Sequence, residues 1–373
     1  MTECMESRDQ FASLRGILVL WIVMGHVLLN ERFGGIYDAG FAAHADFGDL
    51  SALVALRFIG IDLFFMLSGL VLTLFYHDRF TMGSKGRDID KFYVRRLKRI
   101  YPMHLAMIAV IGLYALLGVP HPITSGNEEV IFRHWQSTGI VNLLLMNGWG
   151  IMPVASWNEP AWSLSITFLI YVLFPNMLLI LKRLPASAIA YSVVVGALII
   201  AYAIQRDVVP FSSQSDGAGA IIRGVVFALM GVTTGLYATS QPLDYFKRHG
   251  ARLNLLFLIL IVVWTYQFQF PLTLMHFTYA PLLLAMYAGG YRWVPGLLSH
   301  WLGSRSFALF MTHYPALLIL RHMGGSVLAD WATTNPGKIA AYALTFGTCL
   351  LAAEIGYRLF DRPFAGKRQL RGP

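Results

Sequence analysis

Long apolar runs separated by short polar segments recur along the whole chain. A helix needs about 20 mostly apolar residues to cross a bilayer, with a range of about 17–25. Ten candidate stretches lie at or near that length, approximately Phe11 to Asn30, Ala52 to Tyr76, Ile100 to Gly118, Trp162 to Leu181, Ala186 to Ile204, Ala218 to Thr239, Leu253 to Phe268, Phe270 to Ala288, Leu298 to Leu320 and Ile339 to Phe360. The seventh and eighth are nearly continuous, and Pro271, which cannot continue a helix, divides them. Gly139 to Met146 is too short to cross and predicts a short surface or re-entrant helix. The predicted fold class is all-α, a polytopic membrane bundle of about ten transmembrane helices forming a single domain over residues 1–373, with no additional soluble domain. There is no internal repeat. The first run is full length, carries Arg15 and lacks a small-residue cleavage pattern, so it reads as a retained span.

Composition supports this. Apolar residues make up 56% of the 373 and charged residues only 13%. Soluble domains carry about 25% charged residues, and disordered chains are more polar still. Two cysteines, Cys4 and Cys349, exclude a disulfide scaffold and a thiolate metal site, and no metal is expected. The net charge of +9 is explained by topology rather than by nucleic acid. With the N-terminus inside, 20 basic residues fall in inner segments, five in outer ones and four within spans. Under the positive-inside rule this places both termini in the cytoplasm. Nothing in the sequence fixes an oligomeric state.

Ionisable groups inside spans are costly, face the bundle interior and mark functional sites. Arg15 and His26 lie eleven residues apart in the first span. That spacing is about 20° off a common face and about 16.5 Å along the axis. One stripe of one helix thus carries a cation near the cytoplasm and an imidazole deep in the membrane. The arrangement suits an elongated ligand with an anionic end; a snorkelling arginine and a packed histidine are the alternative.

Asp88 to Ile100 (DIDKFYVRRLKRI) reads as an amphipathic surface helix, with Pro102 starting the third span. Arg96 and Arg99 share a face and suit either a phosphate or anionic lipid. Asp62 is placed to orient a histidine or to hold an arginine; Arg57 is too far round the helix to pair with it. Arg223, Arg305, His276 and His313 are further polar groups within spans, and Glu354 with Arg358 reads as a structural i,i+4 pair. Trp135, Trp149, Trp157 and Trp162 suit an interfacial belt or the floor of a substrate site.

Taken together these segments resemble the acyltransferase 3 family of integral membrane O-acyltransferases, over nearly the whole chain. The resemblance rests on six elements in order: Arg15-x10-His26; GIDLFFMLSG from Gly60 to Gly69; Arg96-x-x-Arg99 before Ile100-Tyr101-Pro102; NEPAWSLS from Asn158 to Ser165; Arg223 with Phe227 and Gly231; and Leu302, Gly303, Ser306, Phe307 and His313. Asp361-Arg362-Pro363 stands where the family often has Glu-x-Pro. One departure is Thr167, where the family usually places a glutamate.

The resemblance implies transfer of an acyl group, acetyl in the expected case, from cytoplasmic acyl-CoA to a hydroxyl of an extracytoplasmic glycan or lipid-linked glycan. Acyl-CoA is then a co-substrate and no cofactor is tightly bound. His26 would be general base or transient acyl carrier, with Arg15 and Asp62 beside it in the catalytic set. Arg96, Arg99 and Arg15 would hold the donor. Arg57, Trp162, Ser165, Thr167, Arg223 and His313 would contact substrate, and the outer segments Glu31 to Ser51 and Val119 to Ala161 would select the acceptor. The location implied is a bacterial plasma (inner) membrane. Two other readings stay open: a degenerate member that binds acyl-CoA or glycan without turnover, for which Thr167 argues, and a small-solute transporter or flippase.

Overall fold

A computed structural model describes residues 2–28, 57–80, 86–117, 138–151, 157–206, 208, 217–266, 273–289, 296–331 and 334–364. The segment Glu31 to Ser51 and residues 118–137 and 152–156 of the longer outer segment lie outside the described residues. So do Pro271 and Trp135.

Most of the described residues are helical, and no strand occurs among them. The ten long helices are α1 (Thr2–Leu28), α2 (Arg57–Tyr76), α3 (Gly86–Leu116), α4 (Ala161–Leu181), α5 (Ala186–Gln205), α6 (Gly217–Ser240), α7 (Asp244–Tyr266), α8 (Thr273–Gly289), α9 (Gly296–Trp331) and α10 (Asn335–Gly356). The described part of each predicted apolar run lies on one of them or at its end. Among the described residues five stretches are long and apolar enough to cross a membrane: Phe58–Tyr76, Ala161–Leu181, Ala186–Gln205, Gly217–Ser240 and Pro336–Phe364. The segment at 138–143 is a short helix, as its length predicts.

Several helices extend beyond the predicted apolar runs: α1 begins at Thr2 rather than Phe11, α7 at Asp244 rather than Leu253, and α3 and α9 differ as follows. The amphipathic segment and the third span are one continuous helix, α3, with Pro102 inside it. The ring removes only the bond to the Lys98 carbonyl, which lies in the charged half of the helix where water can serve it. α9 continues past Leu320 to Trp331. α10 starts at a built cap, in which the Thr334 hydroxyl accepts from the Gly337 N–H at 3.2 Å, with a proline at the start of the helix. It ends in a single π-helical turn, Tyr357–Asp361.

The chain divides into two compact units, each with its own core. Unit 1 comprises Met1–Leu18, Phe58–Arg95 and Ser163–Ser304; unit 2 comprises Val19–Arg57, Arg96–Trp162 and Arg305–Pro373.

In unit 1, α2 and α6 touch backbone to backbone. A methyl group added at Gly69 would meet the Ala228 carbonyl oxygen at 2.2 Å, and one at Gly231 would meet that of Met66 at 1.9 Å. Small residues at such contacts let apolar helices approach closely where no hydrophobic force between them exists. From the Asp62–Arg223 pair to the contact of Thr73 with Gly235, residue numbers rise together along this seam, so the two helices are parallel. A second core joins the end of α2 to α3 and α4: Phe92, fully buried, meets Tyr76 edge-on at 5.0 Å and Phe174 at 5.7 Å. This anchors the amphipathic segment, while Asp88, Lys91 and Arg95 stay exposed. Lys182 donates to the carbonyls of His77 and Phe80 at the end of α2. α5 and α7 expose Val195, Leu198, Leu255 and Val262, an apolar surface suited to lipid.

In unit 2, Val19, Val23 and Val27 of α1 form one core cluster with Leu309 and Leu317 of α9 and Cys349 and Ala353 of α10. The four-residue spacings on α1 and α9 are the ridges along which helices interlock. α3 meets α10 in the opposite sense, Arg99 with Asp361 and Met103 with Gly356.

Candidate active site

In unit 2 the α1 ridge carries His26, seven residues after Val19 and therefore on its face. The α9 ridge carries His313, four residues after Leu309. Packing of these ridges brings the two imidazoles together. His26 Nδ1 lies 3.0 Å from His313 Nε2, with the ring centroids 5.1 Å apart and the planes 14° from parallel. His313 is fully buried and His26 half-buried.

The protonation pattern follows from the neighbours. His313 Nδ1 faces two backbone carbonyls of its own helix, Phe310 at 2.8 Å and Leu309 at 3.2 Å. A carbonyl can only accept, so Nδ1 carries the hydrogen. In a neutral ring Nε2 then holds the lone pair, and His26 Nδ1–H donates to it. His26 is left with its own lone pair on Nε2. The bond at one nitrogen fixes the chemistry of the other.

Other groups of unit 2 surround this pair in the sequence. Arg99 forms an ion pair with Asp361, which is 1% exposed, and its guanidinium lies 5.4 Å from the Phe307 ring centroid. The sequence reading gave Arg99 to a phosphate together with Arg96. The structure gives it a carboxylate from the Asp-Arg-Pro run, and Arg96 is half-buried one turn earlier. Glu354 holds Arg358 at 2.6 Å, as expected of a structural pair, and also Arg305 at 2.9 Å. Trp162 is buried, and Trp157 covers Gly112 and Gly139 while donating to Thr138 at 3.2 Å.

Two residues of unit 2 were missed. Asn158 is buried and donates to the Met311 carbonyl at 3.0 Å, two residues from His313, while its Oδ1 finds no partner among the described residues. Its place at the head of the NEPAWSLS run was the available signal. His104 bonds the Asn142 carbonyl at 2.7 Å, tying α3 to the 138–143 helix. Nothing in its sequence surroundings announced that.

Unit 1 holds the remaining candidates. Arg15, on α1, is half-buried. Asp62 is bound by Arg223, Nε to Oδ1 at 2.5 Å and Nη2 to Oδ2 at 3.1 Å. Of its two expected uses Asp62 thus takes the arginine, and the group bonded to His26 Nδ1 is His313. Ser165 and Thr167 are buried in α4, where the Thr167 hydroxyl donates to the Ser163 carbonyl at 2.8 Å. Arg57 opens α2, but its side chain lies outside the described residues. No group of three or more metal-ligating side chains occurs among the described residues.

Apolar helices, five of them long enough to cross a membrane, and a hydrogen-bonded pair of imidazoles make this a membrane protein with a candidate site at that pair. The acyltransferase 3 family model, described as an acyltransferase domain, matches residues 9–354, and the chain belongs to that family. Among curated proteins, "Acyltransferase MdmB" of Streptomyces mycarofaciens is 29% identical over 136 residues, covering 36% of this chain and 31% of its own. "Putative peptidoglycan O-acetyltransferase YrhL" of Bacillus subtilis (strain 168) is 23% identical over 94% of this chain and 54% of its own. "Putative O-acetyltransferase SACOL0978" of Staphylococcus aureus (strain COL) is 22% identical over 94% of this chain and 56% of its own. The chain therefore covers 31% to 56% of the length of these relatives. No solved structure matches it.

Proposed function

We propose that the chain is a membrane O-acyltransferase that moves an acyl group, acetyl in the simplest case, from cytoplasmic acyl-CoA to a hydroxyl of an extracytoplasmic glycan or lipid-linked glycan. Its location in this reading is a bacterial plasma membrane, crossed about ten times with both termini inside. The observation that carries the reading is the bond from His26 Nδ1 to His313 Nε2 at 3.0 Å, together with the carbonyls that hold His313 in one tautomer.

The chemistry then runs through His26. Its Nε2 takes the proton of the acceptor hydroxyl as that oxygen attacks the thioester carbonyl. The carbon–sulfur bond breaks, and the departing thiolate takes the proton back from the imidazolium. The products are an ester and free CoA thiol. A path through an acyl-imidazole uses the same nitrogen as nucleophile. Such acid–base assistance is worth about 10²–10⁴-fold. Arg96 and Arg15 hold the anionic donor. Asp361 pairs with the Arg99 guanidinium, and in this reading Arg99 combines that structural pairing with a donor-binding role.

Thr167 favours a second reading. Its hydroxyl is spent on its own helix and it brings no charge where the family usually has one. That suits a protein that binds acyl-CoA without turning it over.

Membranes containing the chain, incubated with radiolabelled acetyl-CoA and a bacterial envelope glycan fraction, separate the two. Transfer predicts label in a base-labile ester on the glycan that is missing from membranes without the chain. Donor binding with no chain-dependent ester would establish the second reading.

A further inference from the structure

Unit 1 holds a second buried polar cluster, to which the reaction described above assigns no step. Asp62 of α2, Arg223 of α6, and His276 and Tyr279 of α8 are each at most 2% exposed. All four lie within the first two turns of their helices. Arg223 grips Asp62 through two nitrogens, so the two charges cancel within the pair.

The other two side chains are unsatisfied. Among the described residues neither ring nitrogen of His276 has a hydrogen-bond partner, and Nε2 stands 3.9 Å from Asp62 Oδ2, beyond bonding distance. The Tyr279 hydroxyl has no partner among the described residues either. The walls are aromatic: Phe227 and Tyr279 meet the His276 ring edge-on at 5.2 and 5.4 Å, and Phe257 meets Tyr279 at 6.2 Å.

Buried polar atoms are normally paired, and an apolar bundle in lipid has no solvent at hand to pair them. What they require can be read from their chemistry. A neutral imidazole offers one N–H and one lone pair, and a phenol offers both on one oxygen. The complementary group is small, uncharged, and both donor and acceptor. A phosphate or carboxylate would find the charge of Arg223 already met by Asp62, and a cation would find Asp62 already taken.

We propose that Asp62, Arg223, His276 and Tyr279 form a binding site for a neutral hydroxyl group, held by His276 and Tyr279 against the Asp62–Arg223 pair. That hydroxyl has two sources, an internal water or a sugar hydroxyl of the acceptor. The second source rests on the acyltransferase reading; the site itself does not.

The test is hydroxyl-radical footprinting of the purified full chain in lipid nanodiscs by X-ray radiolysis, read by mass spectrometry. Water activated beside a buried side chain modifies it although bulk solvent cannot reach it. With no sugar present, His276 and Tyr279 should be modified severalfold faster than Phe92 and Phe174, which are equally buried in a cluster of aromatic rings and aliphatic side chains. Tyr279→Phe keeps the ring and removes the hydroxyl, and should slow modification of His276 severalfold. Added maltotriose that protects both residues identifies a sugar hydroxyl as able to take the site; unchanged modification identifies water as the occupant. Modification of His276 and Tyr279 no faster than that of the two phenylalanines overturns the proposal, and so does a Tyr279→Phe chain whose His276 is modified as fast as before. None of these readings requires turnover.

Discussion

An imidazole can carry its lone pair on either nitrogen, and for His26 the choice is made at His313. Two carbonyls of α9 hold the His313 hydrogen on Nδ1, so its Nε2 can only accept. This separates two substitutions of similar size. His313→Gln can accept from His26 through its amide oxygen and should keep much of the turnover. His313→Leu offers no acceptor and should lose about 10–100-fold, the range typical when a group that orients an imidazole is removed. A residue that merely filled space would rank the two the other way, and kcat for each variant decides it. The arginines separate similarly. Arg96→Ala should raise the KM for donor with little effect on stability. Arg99→Ala should do so and also destabilise by about 1.5–3 kcal/mol, because it leaves buried Asp361 without its charged partner. Thermal unfolding in detergent beside donor titration measures both effects.

At the scale of helices, the seam between α2 and α6 sets the register of the Asp62–Arg223 pair. Asp62 is seven residues before Gly69, and Arg223 eight before Gly231. Gly231→Val would drive a side chain into the Met66 carbonyl and should cost about 1–3 kcal/mol or more, read as a lower unfolding temperature. Thr334→Ala removes the cap of α10 and should cost about 1 kcal/mol.

The helices themselves were legible in the sequence because a membrane span must be both long and apolar, and the described part of each predicted run lies on a helix or at its end. The continuity of α3 was not, because a proline reads as a start whether or not the helix already runs through it. The face shared by Arg15 and His26 was legible from helical geometry alone. The partners were not: His313 is 287 positions from His26, and Asp361 is 262 from Arg99. Such pairs depend on which helices become neighbours, and periodicity along one helix carries no information about that. Asp62 illustrates the limit, since its sequence surroundings suited a histidine and an arginine equally.

On the scale of the molecule, helix directions within each unit bear on topology. In unit 1, α2 runs parallel to α6. In unit 2, α3 runs against α10. Alternating crossings of ten spans require both relations, since α2 and α6 are both even in order while α3 and α10 differ in parity. The charge pattern adds the absolute sense, with the N-terminus inside. A cysteine placed at Pro185, between α4 and α5, should then react with a membrane-impermeant thiol reagent only from the cytoplasmic face. One at Val208, after α5, should react only from outside; both positions are exposed. Labelling of both from the same face would remove α5 as a crossing helix.

The role of His26 is tested most directly by turnover of acetyl-CoA in bilayers by the purified wild-type and His26→Ala chains, with donor affinity measured on the same samples. Unchanged donor affinity with turnover lower by about 10²–10⁴-fold is the expected result. Turnover close to wild type in the variant would show that the proton of the acceptor leaves by another route.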